Sequence, residues 1–146
     1  GEIIEGWECW DEQFINLAQG QKTVLDGHAV VVNEKNDVTS EDNKEVLEAD
    51  SESIRFIFWD AIRYDGFARG VDDRIGYNWR YNGIQHMMML AMEKNPLPCY
   101  SAIPASMVGS QDQLDSTVKQ LDNKCVVKQL DGIWKHGETD QEIIVV

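Results

Sequence analysis

Three apolar stretches of this sequence carry side chains that could take part in chemistry. Val24–Val32 contains Asp26 in an Asp-Gly-His run, and Ile54–Asp60 ends in a Trp-Asp pair. Cys125–Lys135 contains Lys128 and a second Asp-Gly pair. Carboxylates can hold Mg²⁺, and lysine amines can neutralise phosphate charge or, when their pKa is depressed, act as nucleophiles.

The elements that would position these residues are predicted to be strands. Each stretch is rich in β-branched and aromatic residues and is bounded by polar or glycine-containing turns. Ile54–Ile62 is apolar at nearly every position, so we expect both of its faces to be covered. The sequence also predicts an extended segment over Tyr100–Val108 and a last apolar strand over Glu142–Val146.

Three helices are predicted before and between the strands. An amphipathic helix is predicted to begin near Trp7 and to end at Gly20, where glycine accepts the left-handed cap conformation. Asn78–Glu93 has the strongest helical periodicity, and Ser110 is expected to cap a further helix. The apolar residues expected to face the core are Trp7, Trp10, Phe14 and Leu17 in the first helix, Trp79, Ile84, Met87, Met88 and Ala91 in the second, and Leu114, Val118 and Leu121 in the third. The predicted fold class is α+β.

The segment Asn33–Ser53 is polar and acidic, and we interpret it as a surface excursion. Thr39 or Ser40 could cap a short helix through Leu47. The acidic residues do not follow the Asp-x-Asp-x-Asp-Gly spacing that directs oxygens at one ion, which argues against a calcium loop.

Length and composition indicate one domain spanning residues 1–146. The chain has 146 residues, of which 42% are hydrophobic, and this suits a single core. There is no run of about 18 apolar residues, and the first residues lack the basic start and apolar middle of a secretory signal. We therefore expect no membrane span and a cytoplasmic location.

The cysteines and histidines form no disulfide or metal-binding pattern. Cys9, Cys99 and Cys125 are odd in number and widely separated, so we expect free thiols, with Cys125 buried in its strand. The three histidines are equally scattered, and we predict no metal site from them.

The net charge argues against non-specific binding of nucleic acid. The formal charge is −13 and the pI is about 4.5, whereas such binding comes mainly from lysines and arginines that release counterions. The densest basic stretch, Arg63–Arg80, contains four arginines but also three aspartates. We interpret it as a solvated mixed-charge loop.

The order of the motifs resembles the nucleotidyltransferase domain of bacteriophage-type ATP-dependent DNA ligases. The resemblance runs from about Gly1 to the end of the chain. The residues that carry it are Leu25-Asp26-Gly27, then Phe56-x-x-Trp59-Asp60, then a strand ending in Lys128 followed by Asp131-Gly132-Ile133-Trp134-Lys135-His136-Gly137. It implies antiparallel sheets with flanking helices, of the ATP-grasp-like kind, around a nucleotide cleft. It also implies ATP and Mg²⁺ as cofactors and nicked DNA as a partner.

The same resemblance assigns roles to individual residues. In that family a lysine in a Lys-x-Asp-Gly motif attacks the α-phosphate of ATP to give lysyl-AMP. The adenylate then passes to a DNA 5′-phosphate before the nick is sealed. By this likeness Phe56 would stack on adenine, Lys128 would close the strand of the fourth motif, and Asp26 would belong to the cofactor site.

Four parts of the family's phosphate machinery are absent or replaced. No Lys-x-Asp-Gly occurs in the sequence, and we expect the chain to begin downstream of it. His28 stands where the family has a glutamate, and Asn123-Lys124 stands where it has Glu-Gly. The final Lys-x-Lys is deleted or falls on Ile144 and Val146. We therefore expect no catalytic residue, no protein metal ligand and no ligation by this chain alone.

Three interpretations remain open at this stage. The first is a truncated or degenerate ligase domain, in which Lys22, Lys124 or Lys128 could replace the nucleophile only with a depressed pKa and a position in the cleft. The second is a non-catalytic acidic interaction module that binds a protein partner or self-associates through unpaired sheet edges. The third is an acidic α+β domain with chance motif matches.

Overall fold

The computed structural model describes residues 4–121, 125–137 and 144–145. These residues form a mixed α+β fold in which helices flank a four-stranded sheet, as the sequence predicts at that level. The helices are α1 (Asp11–Ala18), α2 (Asn43–Glu48), α3 (Tyr64–Ala68), α4 (Tyr77–Ala91) and α5 (Gln111–Gln120), the strands are β1 (Thr23–Val32), β2 (Val38–Ser40), β3 (Ile54–Arg63), β4 (Tyr100–Ala102), β5 (Val126–Val127) and β6 (Ile144–Val145), and 3₁₀ turns cover Glu8–Trp10 and Ser51–Ser53. Among the described residues no helix has the length and apolar character to cross a membrane.

The main sheet is built on the antiparallel pair of β1 and β3. This pair extends from Thr23 opposite Arg63 to Val31 opposite Ile54. β2 lies beside β1 and β4 lies beside β3, which gives the order β2-β1-β3-β4. β4 is parallel to β3, so the expectation of purely antiparallel sheets is wrong. The chain between these two strands includes α4, and a long crossover of this kind is the connection that parallel strands require.

The third predicted strand is much shorter than expected. Within Cys125–Lys135 only β5 is extended, and it pairs with β6 in a separate two-stranded sheet. The reason is a turn over Gln129–Gly132, in which the Gly132 N–H donates to the Gln129 carbonyl at 3.1 Å. Cys125 is consequently half-buried before β5 rather than buried within a central strand. β6 falls inside the predicted strand Glu142–Val146, whose other residues lie outside the described ranges.

A β-bulge interrupts the β1–β3 pair at the first Asp-Gly sequence. Asp26 lies opposite Asp60 and Gly27 lies opposite Phe58, so β3 carries one extra residue, Trp59, between the two pairings. A Cβ atom on Gly27 would overlap the Ile57 carbonyl oxygen, so glycine allows an approach that a side chain would block. Bulges re-aim the side chains beside them, and this one helps to set the position of Asp60.

The core lies between β3 and the helices α1 and α4. The side chains of β3 alternate between buried and half-buried, so its second face is covered only in part, contrary to expectation. The buried members of the core are Leu17, Ile54, Phe56, Phe58, Ile84, Ala91, Cys99 and Tyr100. The half-buried side chains packed on them include Trp7, Trp10, Phe14, Met87 and Met88, as predicted.

The predicted helix over Asn78–Glu93 is confirmed as α4, but the residues on its inward face differ from those predicted. Ile84 and Ala91 are buried, whereas Trp79 is 73% exposed. The positions one turn before Ile84 are Arg80 and Tyr81, and these two residues take the inward places at this end of the helix.

The helix caps are only partly as predicted. The Ser110 hydroxyl caps α5 by accepting a hydrogen bond from a first-turn N–H, which confirms that prediction. Helix α2 is capped by Asp42 instead, because Thr39 and Ser40 belong to β2. Leu121 follows the end of α5 and is 49% exposed, so its predicted inward position is wrong.

Two glycine-to-alanine substitutions are expected to change stability in opposite directions. Gly27→Ala should lower the free energy of unfolding by about 1–3 kcal/mol, because the new methyl group overlaps the backbone of β3. Gly83→Ala should raise it by about 0.4–1 kcal/mol, because Gly83 lies inside α4 and a methyl group there would meet no other atom within 4 Å. Urea unfolding followed by far-UV circular dichroism measures both changes. Equal stability of the two variants would contradict the described strand approach.

Candidate functional site

A buried ion pair joins the end of β3 to the start of α4. Asp60 is 1% exposed, and Arg80 lies in the first turn of α4. Arg80 Nε donates to Asp60 Oδ1 at 2.7 Å, and Arg80 Nη2 donates to Asp60 Oδ2 at 2.9 Å. This bidentate geometry is the strong form of a charge-assisted hydrogen bond. The two charges therefore satisfy each other where water is excluded.

The third nitrogen of Arg80 reaches two carbonyl groups. Arg80 Nη1 donates to Gly132 O at 3.0 Å and also to Ile75 O. Ile75 belongs to the loop before α4, and Gly132 belongs to residues 130–136, which we call the docked segment. Four of the five N–H donors of the guanidinium are thus engaged. One arginine connects a strand, a loop and a distant part of the chain.

Backbone hydrogen bonds hold the docked segment on the N-terminal end of α4. The Tyr77 N–H donates to Gly132 O at 2.9 Å, and the Asn78 N–H donates to Leu130 O at 2.8 Å. The first N–H groups of a helix have no partner within the helix, and the N-cap residue Gly76 has no side chain to supply one. The docked segment therefore acts as the cap of α4.

The docked segment also contacts the loop between α3 and α4. Asp73 and Trp134 exchange two backbone hydrogen bonds of 3.0 Å each. The His136 N–H donates to the Asp72 carboxylate at 3.0 Å. The Trp134 ring lies 5.8 Å from the Phe67 ring, measured between centroids. These contacts fix the segment at both of its ends.

Lys128 precedes the docked segment and lies beside the ion pair. Its Nζ is 3.7 Å from Asp60 Oδ2 and 4.5 Å from the centroid of the Tyr77 ring, and its side chain is 13% exposed. Burial, and then the charge of Asp60, raise the pKa of Tyr77 to about 12, so this ring stays neutral beneath the ammonium group. Asp60 faces two cations, and one positive charge is in excess among the three groups.

Most charged side chains of the basic stretch Arg63–Arg80 are exposed, as its charge pattern predicts, but Asp73 and Arg80 are buried, and Asp73 forms a second ion pair with Arg63. Arg63 donates to the buried Asp73 carboxylate from its backbone N–H at 3.2 Å and from Nε and Nη2 at 3.3 Å each. Burial alone would raise the pKa of the Asp73 carboxyl. The Ile75 N–H and the Arg63 donors outweigh it and hold that pKa below its usual value. The exceptions to the predicted solvated loop are therefore Asp73, which pairs with Arg63, and Arg80, whose partner Asp60 lies outside the stretch.

An apolar cavity adjoins the β1–β3 pair on the side of α1. Its volume is about 380 Å³, and it is lined by Phe14, Ala18, Thr23, Leu25, Phe56, Phe58 and Met87. Small-molecule sites usually have volumes of roughly 300–1,000 Å³. The Phe56 ring is itself packed edge-on against Trp7 and Phe14, with centroid distances of 5.2 and 5.1 Å. The lining holds no charged side chain, so the cavity suits an apolar or aromatic group.

A larger cleft of about 520 Å³, which is no more open to solvent than the apolar cavity, lies beyond the ends of β1 and β3. Its lining includes Lys22, Arg69, Asp65 and Asp72 as well as Arg63. Opposite charges share this cleft in nearly equal numbers, so its electrostatics favour no particular class of ligand. It contains none of the residues that the resemblance assigns to the cofactor site.

The three residues assigned to the cofactor site lie along the β1–β3 pair. Lys128 contacts Asp60, and Asp26 lies opposite Asp60 in the strand register. Asp26 is half-buried, and its carboxylate forms no hydrogen bond or ion pair within the described ranges. Phe56 lines the apolar cavity and lies on the same strand as Asp60.

The remaining candidates for chemistry lie apart from this arrangement. Lys22 Nζ is 5.9 Å from the centroid of the Tyr64 ring, and Lys124 lies outside the described residues. The His28 ring is 5.2 Å from that of Trp59, and its buried Nε2 lacks a hydrogen-bond partner in the described part of the chain. Within the same ranges, no three His, Cys, Asp or Glu side chains are grouped so that they could hold a metal ion.

Sequence reasoning missed Arg80 and Tyr77, which define the geometry around Asp60. A signal for Arg80 was present, because it is the sole Asp, Glu, Lys or Arg residue between Tyr77 and Ala91. It also lies one turn before Ile84, on the apolar face of the helix. A single charge on such a face indicates a buried partner, since charged side chains are rarely buried unless paired.

Comparison with known proteins assigns no family. No family model matches the chain, and no curated protein matches it. Inferences about function therefore depend on the residues themselves and on the geometry of the site.

Substituting Asp60 tests the importance of the buried ion pair for stability. Asp60→Asn should lower the free energy of unfolding by about 3–5 kcal/mol, because it leaves Arg80 buried without a counter-charge. Lys44→Met is the matched control, since it breaks the exposed Lys44–Glu48 pair and should cost at most about 0.5 kcal/mol. Urea unfolding measures both. Similar losses in the two variants would contradict the described burial.

The lowered pKa of Asp73 predicts a dependence of stability on pH. A carboxyl whose folded-state pKa is below its unfolded value of 3.8 stabilises the fold above that value, and this stabilisation is lost as pH falls through the folded-state pKa. Asp73→Asn should therefore lose less stability than wild type between about pH 5 and pH 2. Thermal unfolding across this range checks it, with the exposed Asp112→Asn as control. Parallel curves for wild type and Asp73→Asn would contradict the prediction.

Proposed function

We propose that this chain is a nucleotidyltransferase-type domain, of the kind found in ATP-dependent DNA ligases, that binds an adenine nucleotide without becoming adenylated. One observation carries the proposal. Asp26, Phe56 and Lys128, which the motif resemblance assigns to the cofactor site, lie along one strand pair although Lys128 is distant in sequence. Chance motif matches would have no reason to converge in this way.

The dimensions along β3 suit one extended ligand. Phe56 and Asp60 lie opposite Ala29 and Asp26, which are three residues apart on β1, so their separation across the bulge corresponds to about 10 Å at the usual rise of a strand. Both lie towards α4, since Ile84 packs in the core with Phe56 while Arg80 of the same helix binds Asp60. A nucleotide with its base in the apolar cavity and its chain directed along β3 would bring its phosphates towards Lys128.

The Phe56 end of this stretch of β3 suits the base of a nucleotide, and the Asp60 end suits its phosphates. The cavity around Phe56 is lined by uncharged side chains, which favours a base over a phosphate. Arg80 already pairs with Asp60, and Lys128 Nζ is the more accessible of the two cations, with 13% of its side chain exposed against 3% for Arg80. The Asp26 carboxylate opposite Asp60 brings the four side chains to no net charge. Lysine commonly binds phosphate as a point charge. Phosphate recognition is therefore proposed for Lys128.

The Mg²⁺ that accompanies ATP fits this chain less well. The described residues offer no group of carboxylates around one ion, and Asp60 is already engaged by two cations. Mg²⁺ characteristically keeps several waters and binds substrate phosphates. Any Mg²⁺ in the complex would then be held by the nucleotide and water.

The described lysines argue against lysyl-AMP formation. A nucleophilic lysine needs a depressed pKa, which desolvation or a neighbouring cation provides. Lys128 Nζ instead lies 3.7 Å from the Asp60 carboxylate, so its nearest described charge is an anion and not a second cation. Lys22 is exposed at the start of β1. With no Lys-x-Asp-Gly in the sequence, we propose binding rather than transfer.

One observation favours the second candidate, a non-catalytic interaction module. The outer face of α4 carries exposed apolar side chains, including Trp79 and Met89, and no charged residue. Exposed apolar patches on soluble proteins often mark contacts with other proteins. This interpretation needs no nucleotide, so a nucleotide-binding measurement separates the two candidates.

We expect wild-type protein to bind ATP while its intact mass stays unchanged after incubation with ATP and Mg²⁺. Lys128→Met should weaken ATP binding roughly 10-fold or more, because a charged contact to phosphate is lost, and should leave adenosine binding unchanged. Calorimetric titration measures both affinities. Tryptophan fluorescence offers a second readout, since Trp7 contacts Phe56.

Lys44→Met serves as the matched control, because Lys44 is exposed on α2 and should not affect either ligand. Failure of folded wild-type protein to bind ATP would refute the proposal and favour the interaction module. A gain of one AMP, removed by pyrophosphate or nicked DNA, would show that a lysine of this chain is a nucleophile after all.

A further inference from the structure

We infer that Arg80 is a positioning residue for Lys128. Arg80 holds the docked segment in place and neutralises Asp60, so that the Lys128 ammonium group has a fixed position and is available to an anionic ligand. The inference rests on the proposed function for the identity of that ligand. Arg80 itself is buried beneath the site, with a side chain that is 3% exposed, and is not proposed to touch the nucleotide.

Arg80 is linked to the docked segment through the carbonyl of Gly132. Gly132 O accepts hydrogen bonds from both the Tyr77 N–H and Arg80 Nη1, at 2.9 and 3.0 Å. These two donors occupy both lone pairs of the carbonyl, and Gly132 is buried. Arg80 therefore ties the centre of the docked segment to the same carboxylate that Lys128 approaches.

Only three residues separate Lys128 from Gly132, and they form a turn. The Gly132 N–H donates to Gln129 O at 3.1 Å and closes a turn, and Lys128 directly precedes that turn. A closed turn leaves few conformations to the residue beside it. Displacing Gly132 would consequently displace Lys128.

Arg80 and Lys128 compete for the Asp60 carboxylate. Arg80 engages both carboxylate oxygens at 2.7 and 2.9 Å, whereas Lys128 Nζ remains at 3.7 Å. Without the arginine fork, Asp60 would be left with Lys128 as its counter-ion and would draw the ammonium inward. A lysine at position 80 cannot replace the fork, because one ammonium group cannot span the carboxylate and the two carbonyls in the same geometry.

The test compares two ways of loosening the segment, each with a matched control. Arg80→Lys removes the fork and keeps the charge. Its control is Arg55→Lys, because Arg55 lies on β3 and also donates to two backbone carbonyls, those of Glu52 and Ile54, but lies away from the site. Gly76→Ala adds a Cβ atom 3.1 Å from Asp131 Cα and so presses on the segment without altering Arg80, and its control is Gly83→Ala, in open space.

The first readout needs no nucleotide. Competitive acylation followed by mass spectrometry gives the labelling rate of Lys128 relative to the exposed Lys44. We expect this ratio to change several-fold in Arg80→Lys and in Gly76→Ala, and to stay constant in both controls. An unchanged ratio in the folded variants would overturn the inference.

The second readout separates positioning from general support of the fold. Arg80→Lys should weaken ATP binding roughly 10-fold while adenosine binding stays constant, the loss expected for one charged contact. Combined with Lys128→Met it should cause little further loss, because both changes remove the same contact. Equal losses for ATP and adenosine, or additive losses in the double variant, would overturn the inference. If wild type binds no ATP, the proposed function fails, and the Lys128 labelling ratio still decides the role of Arg80.

Discussion

The bidentate ion pair between Asp60 and Arg80 is the interaction on which the other contacts of the site depend. Burying two charges costs several kcal/mol for each ion, and only close geometry and further hydrogen bonds offset that cost. Here the strand bulge presents the carboxylate, α4 presents the guanidinium, and the carbonyl of Gly132 accepts one of the remaining N–H groups. An alternative packing that lost one of these contributions would leave a polar group unpaired away from water. The pair thus favours one mutual arrangement of strand, helix and docked segment.

Helix α4 and the docked segment each supply hydrogen-bonding groups that the other lacks. Helix α4 begins at a glycine N-cap that offers no side-chain acceptor, and the docked segment brings carbonyl groups that find no partner in a sheet. Their combination satisfies the first N–H groups of the helix. The turn over Gln129–Gly132 allows this, because it brings the carbonyls of Leu130 and Gly132 to the adjacent N–H groups of Asn78 and Tyr77. In an extended strand the same two carbonyls would lie about 6.6 Å apart. A sequence that looks like a strand is therefore used as a cap.

The sequence predicts those parts of the fold that local patterns determine. β1, β3 and α4 were predictable from apolar periodicity, and Ser110 from the capping preference of serine. The shortness of β5 and the parallel pairing of β4 were not, since both depend on contacts between distant parts of the chain. The candidate site divides in the same way. Lys128 was named from a motif, whereas Arg80 was missed because its buried partner lies on another element.

The strongly acidic composition and a site for an anion are compatible for a physical reason. Charges on the exposed surface are screened by salt within about 8–10 Å, so the net charge of −13 would act weakly on a nucleotide bound at the proposed site. Lys128 is largely enclosed, and its interaction with a phosphate is screened much less. At the proposed site, contact between a phosphate and Lys128 would therefore count for more than the distant acidic groups. The net charge acts mainly on the approach, where it disfavours long polyanions such as DNA more than a single nucleotide.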